Sequence, residues 1–450
     1  MSKPRHHIIQ FGCILAVLTA IMLQGFTKAV KMKPLSGFEK EERPPVALDF
    51  KTYYDGSYQN FMTEHAKRNT GFREFFIRVY NQFSYSCFRQ INNDNIEEGV
   101  DRELYLNMYL DDITGTTLKD YYTDVEEAKT DARKNVQETK RLIATLKQFG
   151  IDFLFVFAPA KTLVYPEKMP LCFQEQMSDF SLEEYYIELF KENDIPHIDF
   201  LNYFKAIKDT VTYPLYTRTG THWAESTIPF VSDSILRKME SLTGFDLAEI
   251  CYIDKHLTKH YSETDAELEA SMNLLFPFPK PALPLPIVKL SDTLTKDRPN
   301  LLVVGDSYAN QLVYSVFGKA FNNWDWWAYN RDIYSSRERF NWRRLKEEFD
   351  AVTVLQEADI VMAIFTQPML YDYMFEFPRT AQELLEKGYF NEEEAMETVI
   401  KMIQDDPKWY EGIVKQAEER GITIEESLTI NAKYWLDCQR LKIKRPKTAS

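Results

Sequence analysis

The chain has 450 residues, of which 44% are hydrophobic and 14% aromatic, enough apolar material for one large domain with appendages or for two domains. Its formal net charge of −14 argues against a general nucleic-acid binder, because clustered Lys and Arg hold phosphate backbones. The sequence has no Walker A, Gly-x-Gly-x-x-Gly, Cys-x-x-Cys or His-Glu-x-x-His motif, so nucleotide, dinucleotide and metalloprotease functions lack their usual support. We predict no cofactor and no metal.

An uncharged apolar stretch follows the basic N-terminus. Lys3 and Arg5 precede residues 8–26, a stretch close to the ~20 residues that cross a bilayer core. No convincing small-x-small cleavage site follows it. We therefore predict that residues 1–27 form an uncleaved signal anchor that crosses the membrane through residues 8–26, with a cleaved signal peptide as the alternative. Basic residues on both flanks leave the orientation weakly specified.

Residues 28–120 are predicted to form a spacer and an aromatic-rich N-terminal segment. Residues 33–55 are Pro-rich and charged, as suits a spacer leading away from a membrane. Residues 53–89 carry aromatics mostly at helical spacing, which is typical of a core-facing stripe. Residues 100–110 are predicted to contain a short β segment.

From 121 to 379 the pattern alternates between helix and strand. Residues 124–149 predict a long helix, and the continuous apolar run at 151–158 is typical of a strand buried on both faces. This alternation predicts an α/β fold with a mainly parallel sheet flanked by helices. The other predicted elements are helices over 182–192, 201–208, 224–239 and 345–358, strands over 196–200, 211–216 and 359–365, and the strand-to-helix unit at 301–314.

Two polar residues lie just after predicted strands of this region. Lys161 begins a loop after the 151–158 strand and is a candidate for contacting substrate, the alternative being a solvated loop lysine. Asp199 ends the 196–200 strand near the carboxyl edge of the sheet, where open α/β sheets bind their ligands.

His222 lies in the sequence Thr219-Gly220-Thr221-His222-Trp223, between the predicted 211–216 strand and the 224–239 helix. If this strand belongs to the parallel sheet, His222 emerges at the same carboxyl edge. The alternative is a histidine satisfied by loop backbone, with Trp223 in the core.

Residues 243–298 are the least readable part. His256 and His260 lie four apart and would suit a metal only if a carboxylate joined them, so a solvated helix face is the preferred interpretation. The Pro-rich run at 276–286 is interpreted as an insertion or a lid.

The stretch LLVVGDSYANQLVY at 301–314 reads as a buried strand that turns directly into a helix. Such a turn lifts Ser307 clear of the sheet and places backbone N–H groups where an oxyanion would develop. The alternative is that Asp306 or Ser307 only caps the helix.

A serine nucleophile needs a base, and none of the seven histidines follows Ser307. This order excludes an α/β-hydrolase, in which the histidine comes after the nucleophile. His222 is the best upstream candidate, and we expect its loop to meet the Ser307 turn at one rim of the sheet.

Downstream of Ser307, residues 324–331 read WDWWAYNR. The tryptophans would suit stacking on sugar rings, and Asn330 is a candidate oxyanion donor, with a buried strand as the alternative. Residues 380–450 change to acidic helical patterns and are predicted to form a C-terminal helical appendage that ends in a short basic tail. Four cysteines outside the anchor allow three disulfide pairings or single thiols.

Taken together, Gly305-Asp306-Ser307 and the upstream Thr221-His222-Trp223 resemble the alginate O-acetyltransferase-like SGNH hydrolase family of bacterial envelopes, the J/X-like alginate acetylation proteins. The resemblance covers roughly residues 35–379 and implies that Ser307 is the nucleophile and His222 the base. The family motif is Asp-x-His-Trp, and this sequence has Gly220 at the Asp position. The acid that orients His222 therefore comes from elsewhere, is replaced by a backbone carbonyl, or is absent, with Asp199 as the first candidate.

The resemblance implies an inner-membrane-anchored, periplasmic protein with an SGNH-like domain over 121–379. We expect it to move an acetyl group onto or off a polysaccharide hydroxyl, with the donor supplied by a membrane-bound O-acyltransferase. Lys161, Trp223 and Tyr308 are candidates for contacting substrate, and Ser307 N–H and Asn330 for binding the oxyanion. The alternative is a weakly active or inactive carbohydrate-binding scaffold, which Gly220 favours.

Overall fold

The computed structural model describes residues 3–37, 45–291, 295–337, 343–345, 351–388 and 392–440. The chain divides into two compact units. Unit 1 comprises Met1–Glu97 and Ala266–Lys280, and unit 2 comprises Glu98–Asp265 and Pro281–Ser450. The basic tail predicted after residue 440 lies outside the described residues.

The α-helices are numbered in chain order. They are α1 (Lys3–Thr27), α2 (Phe50–Tyr54), α3 (Ser57–Asn69), α4 (Arg73–Phe88), α5 (Asn107–Ile113), α6 (Thr116–Tyr121), α7 (Val125–Gln148), α8 (Lys161–Val164), α9 (Leu171–Gln174), α10 (Leu182–Glu192), α11 (Phe200–Ile207), α12 (Ile228–Thr243), α13 (Glu267–Ser271), α14 (Tyr308–Val313), α15 (Ala351–Glu357), α16 (Phe377–Lys387), α17 (Glu392–Asp405), α18 (Pro407–Arg420) and α19 (Ile424–Arg440).

The strands are numbered in the same way. They are β1 (Ile96–Glu98), β2 (Leu104–Leu106), β3 (Asp152–Phe157), β4 (His197–Asp199), β5 (Ile250–Thr258), β6 (Leu283–Leu290), β7 (Leu301–Gly305), β8 (Trp324–Ala328), β9 (Asp332–Ser335), β10 (Arg343–Arg344) and β11 (Ile360–Phe365).

A seven-stranded sheet in unit 2 has the order β10-β9-β8-β7-β11-β3-β4. The five strands from β8 to β4 are parallel, whereas β9 and β10 add antiparallel pairs at one edge. Strand β7 lies in the middle, where Gly305 pairs with Ile364 of β11 on one side and with Ala328 of β8 on the other. The chain segments that follow β7, β8 and β11 therefore emerge at one edge of the sheet.

The sheet is covered by helices on both faces. Side chains alternate along β3, so that Phe153, Phe155 and Phe157 join one hydrophobic cluster while Leu154 and Val156 join the other. Helices α7, α10 and α16 contribute to the first cluster, and α11, α12 and α14 to the second. A strand buried on both faces needs a continuous apolar run, which explains the sequence of β3.

The predicted α/β fold, with a mainly parallel sheet flanked by helices, is confirmed. Helix α10 has the predicted bounds, and α7 begins after Asp124, whose carboxylate accepts from Glu127 N. Two of the predicted secondary-structure assignments are wrong. Residues 211–216 form no strand and make only an isolated antiparallel bridge between Tyr216 and Trp223. His256 was predicted to lie on a helix face, but it lies in strand β5, which pairs with β6.

Helices lie near both ends of the described part of the chain. Residues His6–Thr27 of α1 are long and apolar enough to cross a membrane by length and composition, and most of this stretch is exposed. Helices α17, α18 and α19 share a small hydrophobic cluster of their own. Helix α16 instead packs into the main core, so the predicted appendage boundary at 380 falls inside a core helix.

Candidate active site

Ser307 lies at the carboxyl edge of the sheet, in the turn between β7 and α14. A Cβ at Gly305 would lie 2.6 Å from the carbonyl oxygen of Ile364, so only glycine lets β7 pair closely with β11 here. The buried Asp306 fixes the turn, because its Oδ2 accepts from the backbone N and the Oγ1 of Thr366, both at 2.8 Å. Its Oδ1 accepts from Tyr308 N at 3.0 Å. Ser307 is thus held by the register of two neighbouring strands.

His222 lies in an irregular loop spanning residues 217–225, which we call the histidine loop. Polar contacts hold this loop in place of a strand ladder. The buried Lys161 Nζ donates to Thr217 O at 2.8 Å and to Gly220 O at 3.3 Å, and pairs with Glu103 Oε2 at 2.9 Å. Ala224 N donates to Leu215 O at 2.7 Å. The loop has a fixed shape although it belongs to no sheet.

The histidine loop and the Ser307 turn meet. The distance between His222 Nε2 and Ser307 Oγ is 2.8 Å, although the two residues are 85 positions apart in the chain. The Tyr308 ring lies 4.7 Å from the imidazole, and its hydroxyl donates to Thr221 O at 2.8 Å. This contact ties the helix that follows the serine to the backbone beside the histidine. A hydroxyl at this distance from an imidazole can pass its proton to the ring nitrogen.

Tyr329 also borders Ser307, although no sequence pattern marked it as a site residue. Its backbone N donates to Gly305 O at 2.9 Å, which brings it next to the turn. Burial raises the pKa of the Tyr329 hydroxyl, as does the charge of Asp306, while hydrogen bonds with the side chain and backbone of Ser307 lower it. Tyr329 and Asn330 both have positive φ, at 53° and 49°. A bulky residue in this conformation is strained, and such strain clusters at functional sites.

Three residues predicted to contact substrate have structural roles instead. Lys161 is buried by its contacts with the histidine loop. Trp223 is fully buried and packs edge to face on Tyr308, with ring centroids 5.0 Å apart. Tyr308 is fully buried as well. The structure therefore corrects these three assignments, and it favours the core alternative for Trp223.

Asp199 and Asn330 also differ from their predicted roles. The Asp199 carboxylate caps α11 through Asn202 N at 2.9 Å and pairs with Lys191 Nζ at 3.3 Å. The Asn330 amide donates to Phe375 O at 2.8 Å and to Thr380 Oγ1 at 2.9 Å. Both N–H bonds of this amide are thus directed at the segment around α16, which corrects its assignment as an oxyanion donor.

The described residues contain no group of three or more His, Cys, Asp or Glu side chains that could hold a metal ion. His256 and His260 are exposed, and all five cysteines are free thiols. Within the described part of the chain, the nucleophile and base chemistry of Ser307 and His222 is therefore the clearest reactive arrangement.

Comparison with known protein families adds to this geometry. Residues 118–248 match the family model described as SGNH hydrolase-like domain, acetyltransferase AlgX. Over these residues the chain is similar to this SGNH hydrolase-like family. The matched segment includes His222 and ends before Ser307, so the model and the 2.8 Å contact are separate observations. The family resemblance predicted from the two motifs is confirmed for this segment.

Solved structures give weaker similarities. Pseudomonas aeruginosa AlgX is 14% identical over 67% of this chain and 70% of its own, with a TM-score of 0.41. The O-acetyltransferase domain of Pseudomonas putida AlgJ is 15% identical over 64% of this chain and 98% of its own, with a TM-score of 0.39. Bacillus cereus PatB1, solved with a sulfonyl adduct, is 12% identical over 55% of this chain and 93% of its own, with a TM-score of 0.37. A search of curated proteins found no match.

Proposed function

We propose that this SGNH-like protein is an acyl-transferring serine enzyme that moves an acetyl group between an ester donor and a carbohydrate hydroxyl. The observation that carries the proposal is the 2.8 Å distance between His222 Nε2 and Ser307 Oγ. The acetyltransferase description of the family matched by residues 118–248 supports the choice of acyl group. Ser307 is the nucleophile and His222 is the general base.

In the first half-reaction, Ser307 Oγ attacks the carbonyl carbon of the donor ester while its proton moves to His222 Nε2. The carbonyl oxygen becomes an oxyanion. When the C–O bond to the donor alcohol breaks, the leaving oxygen takes the proton from His222. The products are the free alcohol and an acetyl ester on Ser307.

In the second half-reaction, an acceptor hydroxyl gives its proton to His222 and attacks the acetyl-serine carbonyl. Collapse of the tetrahedral species returns that proton to Ser307 Oγ and releases the acetylated acceptor. A sugar hydroxyl as acceptor makes the enzyme a transferase, and water makes it an esterase. The exclusion of water from the acyl-enzyme decides between these two outcomes.

Two donors would stabilise the oxyanion. One is the backbone N–H of Ser307, in the turn that Asp306 fixes. The other is the Tyr329 hydroxyl, whose oxygen accepts from Ser307 N–H in the free protein and which would turn to donate to the oxyanion when the ester binds. Donors held rigidly beside a developing charge stabilise the transition state more than the ground state.

The proposed function also includes a cellular location, an acceptor and an acyl donor. Helix α1 would anchor the chain in the inner membrane through residues 8–26, with the catalytic unit in the periplasm. The acceptor would be an envelope polysaccharide, and a membrane-bound O-acyltransferase would supply the acyl donor. These assignments rest on the family resemblance together with the length and hydropathy of α1.

The test uses the purified full-length chain and 4-nitrophenyl acetate, with and without an oligosaccharide acceptor. We expect release of nitrophenol, with kcat reduced by at least about 10³-fold in Ser307→Ala and in His222→Ala. Acetyl-serine at position 307 should be detectable by mass spectrometry after rapid quenching.

Ser241→Ala and His256→Ala are matched controls, because both side chains are exposed and neither lies in the site. Their turnover should equal that of the wild type. If Ser307→Ala and His222→Ala turn over as fast as these controls, the enzyme proposal is wrong.

A second function is a carbohydrate-binding scaffold of the same fold. The observation that favours it is Gly220, which has no carboxylate to orient His222 at the position where the family motif has Asp. A wild-type chain that binds an oligosaccharide but neither hydrolyses nor transfers acetyl groups would support the scaffold.

A further inference from the structure

A histidine that takes a proton from serine through Nε2 needs an acceptor for its Nδ1–H, because that hydrogen bond fixes the tautomer and stabilises the imidazolium. Three carboxylates near the site in sequence or in the sheet are engaged elsewhere or exposed. Asp306 accepts from Thr366 and Tyr308, Asp199 holds α11, and the Glu225 side chain is exposed.

Asp265 is different, because it contacts the histidine loop on both sides of His222. This residue is completely buried. Thr219 Oγ1 donates to its backbone oxygen at 2.8 Å, and Glu225 N donates to its Oδ1 at 3.1 Å. Thr219 and Glu225 lie three residues before and three residues after His222. The Asp265 carboxylate therefore lies against the segment of the loop whose centre is His222.

The packing of the 264–265 segment also explains why residue 220 is glycine. A Cβ at position 220 would collide with the carbonyl oxygen of Thr264 and lie 3.2 Å from the carbonyl carbon of Asp265. The backbone at 264–265 thus fills the space that a side chain at 220 would need. The residue that could have carried an acid on the loop itself is glycine because a second segment, which has its own buried carboxylate, packs there.

The same second segment is tied to the helix of the nucleophile. Gln311 Nε2 of α14 donates to Thr264 Oγ1 at 2.9 Å and to Trp223 O at 3.2 Å. One side chain therefore links the Ser307 helix, the residue after His222 and the residue before Asp265. The three segments are fixed relative to each other.

We propose that the Asp265 carboxylate accepts the Nδ1–H of His222, so that an acid from a separate segment replaces the one missing at Gly220. Asp265 is then a positioning residue that acts on substrate only through His222. The inference rests on the proposed function of Ser307 and His222, but it makes a claim about the imidazole that can be measured without turnover.

The first measurement is NMR of the full-length chain labelled with ¹⁵N-histidine, with the His222 signals assigned by their loss in His222→Gln. In the wild type at neutral pH we expect protonated Nδ1, unprotonated Nε2 and a downfield Nδ1–H proton. In Asp265→Asn the amide donates to Nδ1, which moves the proton to Nε2. Wild-type His222 with unprotonated Nδ1 would overturn the proposal, and this outcome does not depend on whether Asp265→Asn folds.

The second measurement is kinetic. Asp265→Asn should lower kcat for 4-nitrophenyl acetate by about 10²- to 10⁴-fold with little change in KM. Asp265→Glu keeps the carboxylate and should recover part of this loss, which a purely structural role would not produce. Asp199→Asn is the matched control, and it should leave both kcat and the His222 tautomer unchanged.

The two proposals fail separately. A tautomer that depends on Asp265 in a chain without any turnover supports the positioning role and removes the enzyme function. Turnover that needs Ser307 and His222 but is unchanged in Asp265→Asn, with an unchanged tautomer, keeps the enzyme and removes Asp265.

Discussion

Ser307 and His222 lie 2.8 Å apart but are positioned by different means. The Ser307 turn continues a central strand, and backbone pairing with β8 and β11 sets its place. The histidine loop has no strand ladder, and a buried lysine, threonine hydroxyls and a neighbouring segment hold it. One half of the site is fixed by sheet register and the other by a polar network.

The difference matters for stability. Parallel strands in a closely packed interior cannot shift by a fraction of an ångström without disturbing their neighbours. A polar network can be disconnected at one buried group, and the cost is then the desolvation of the partners left behind. We therefore expect damage to the sheet to reach Ser307 and damage to the network to reach His222, each largely without the other.

The largest effect is expected for Lys161→Met. This change removes a buried ammonium that pairs with Glu103 at 2.9 Å and donates to several loop carbonyls. Glu103 keeps Lys168 at 3.2 Å but loses its buried partner, so the free energy of unfolding in urea should fall by about 3 kcal/mol. Hydrogen exchange should show loss of protection at residues 217–225, with protection at 301–306 retained.

Lys147→Met is the matched control for this lysine. Lys147 pairs with Asp152 at 2.8 Å but is 69% exposed, and exposed pairs contribute little. Its unfolding free energy should change by less than about 1 kcal/mol. If Lys161→Met instead loses protection equally at residues 217–225 and 301–306, the two halves of the site form one cooperative unit and are not positioned by separate means.

The reverse experiment is Gly305→Ala. The added methyl group meets the Ile364 backbone at 2.6 Å, so β7 and β11 must separate. Overpacking of this kind costs about 1–3 kcal/mol of unfolding free energy. Hydrogen exchange should now show the loss at 301–309 and at 360–366, while residues 217–225 keep their protection.

Gly412→Ala is the control, and it should change the unfolding free energy in the opposite direction. Gly412 lies inside α18, and a Cβ there would meet nothing within 4 Å. Alanine should raise the unfolding free energy by about 0.5–1 kcal/mol, since glycine loses more backbone entropy in a helix. A Gly305→Ala chain as stable as the wild type would mean that register does not hold the Ser307 turn.

The sequence was informative about the half of the site that regular structure positions. The apolar run at β3 and the strand-to-helix signal at β7 and α14 have strong local patterns, and both elements are present. The order of the histidines along the chain pointed to His222 without any knowledge of the fold. The prediction that its loop meets the Ser307 turn is confirmed by the 2.8 Å contact.

Sequence patterns revealed little about the histidine loop, the half of the site that a polar network positions. Residues 211–216 read as a strand from their composition, but Leu215 O and Arg218 O accept backbone hydrogen bonds from Ala224 and Leu104 outside any ladder. Lys161 read as a loop lysine because its partner Glu103 is 58 positions upstream in the chain. Asp265 lies in the least readable region, and no local pattern shows which segment a buried carboxylate will contact.

The smallest effect is expected for Tyr329→Phe, which tests where the two halves join. Tyr329 follows β8 and is therefore placed by register, yet its hydroxyl hydrogen bonds with Ser307, which lies beside His222. If this hydroxyl is the second oxyanion donor, kcat for 4-nitrophenyl acetate should fall about tenfold, ~1.4 kcal/mol, because Ser307 N–H remains. KM and the unfolding free energy should change little, since the phenyl ring keeps its packing on Phe375. Tyr314→Phe is the control, because this tyrosine is 60% exposed at the end of α14 and its change should leave kcat unchanged. A Tyr329→Phe enzyme with wild-type kcat would leave the oxyanion to backbone N–H groups, and the strained backbone at 329 and 330 would then serve only the turn between β8 and β9.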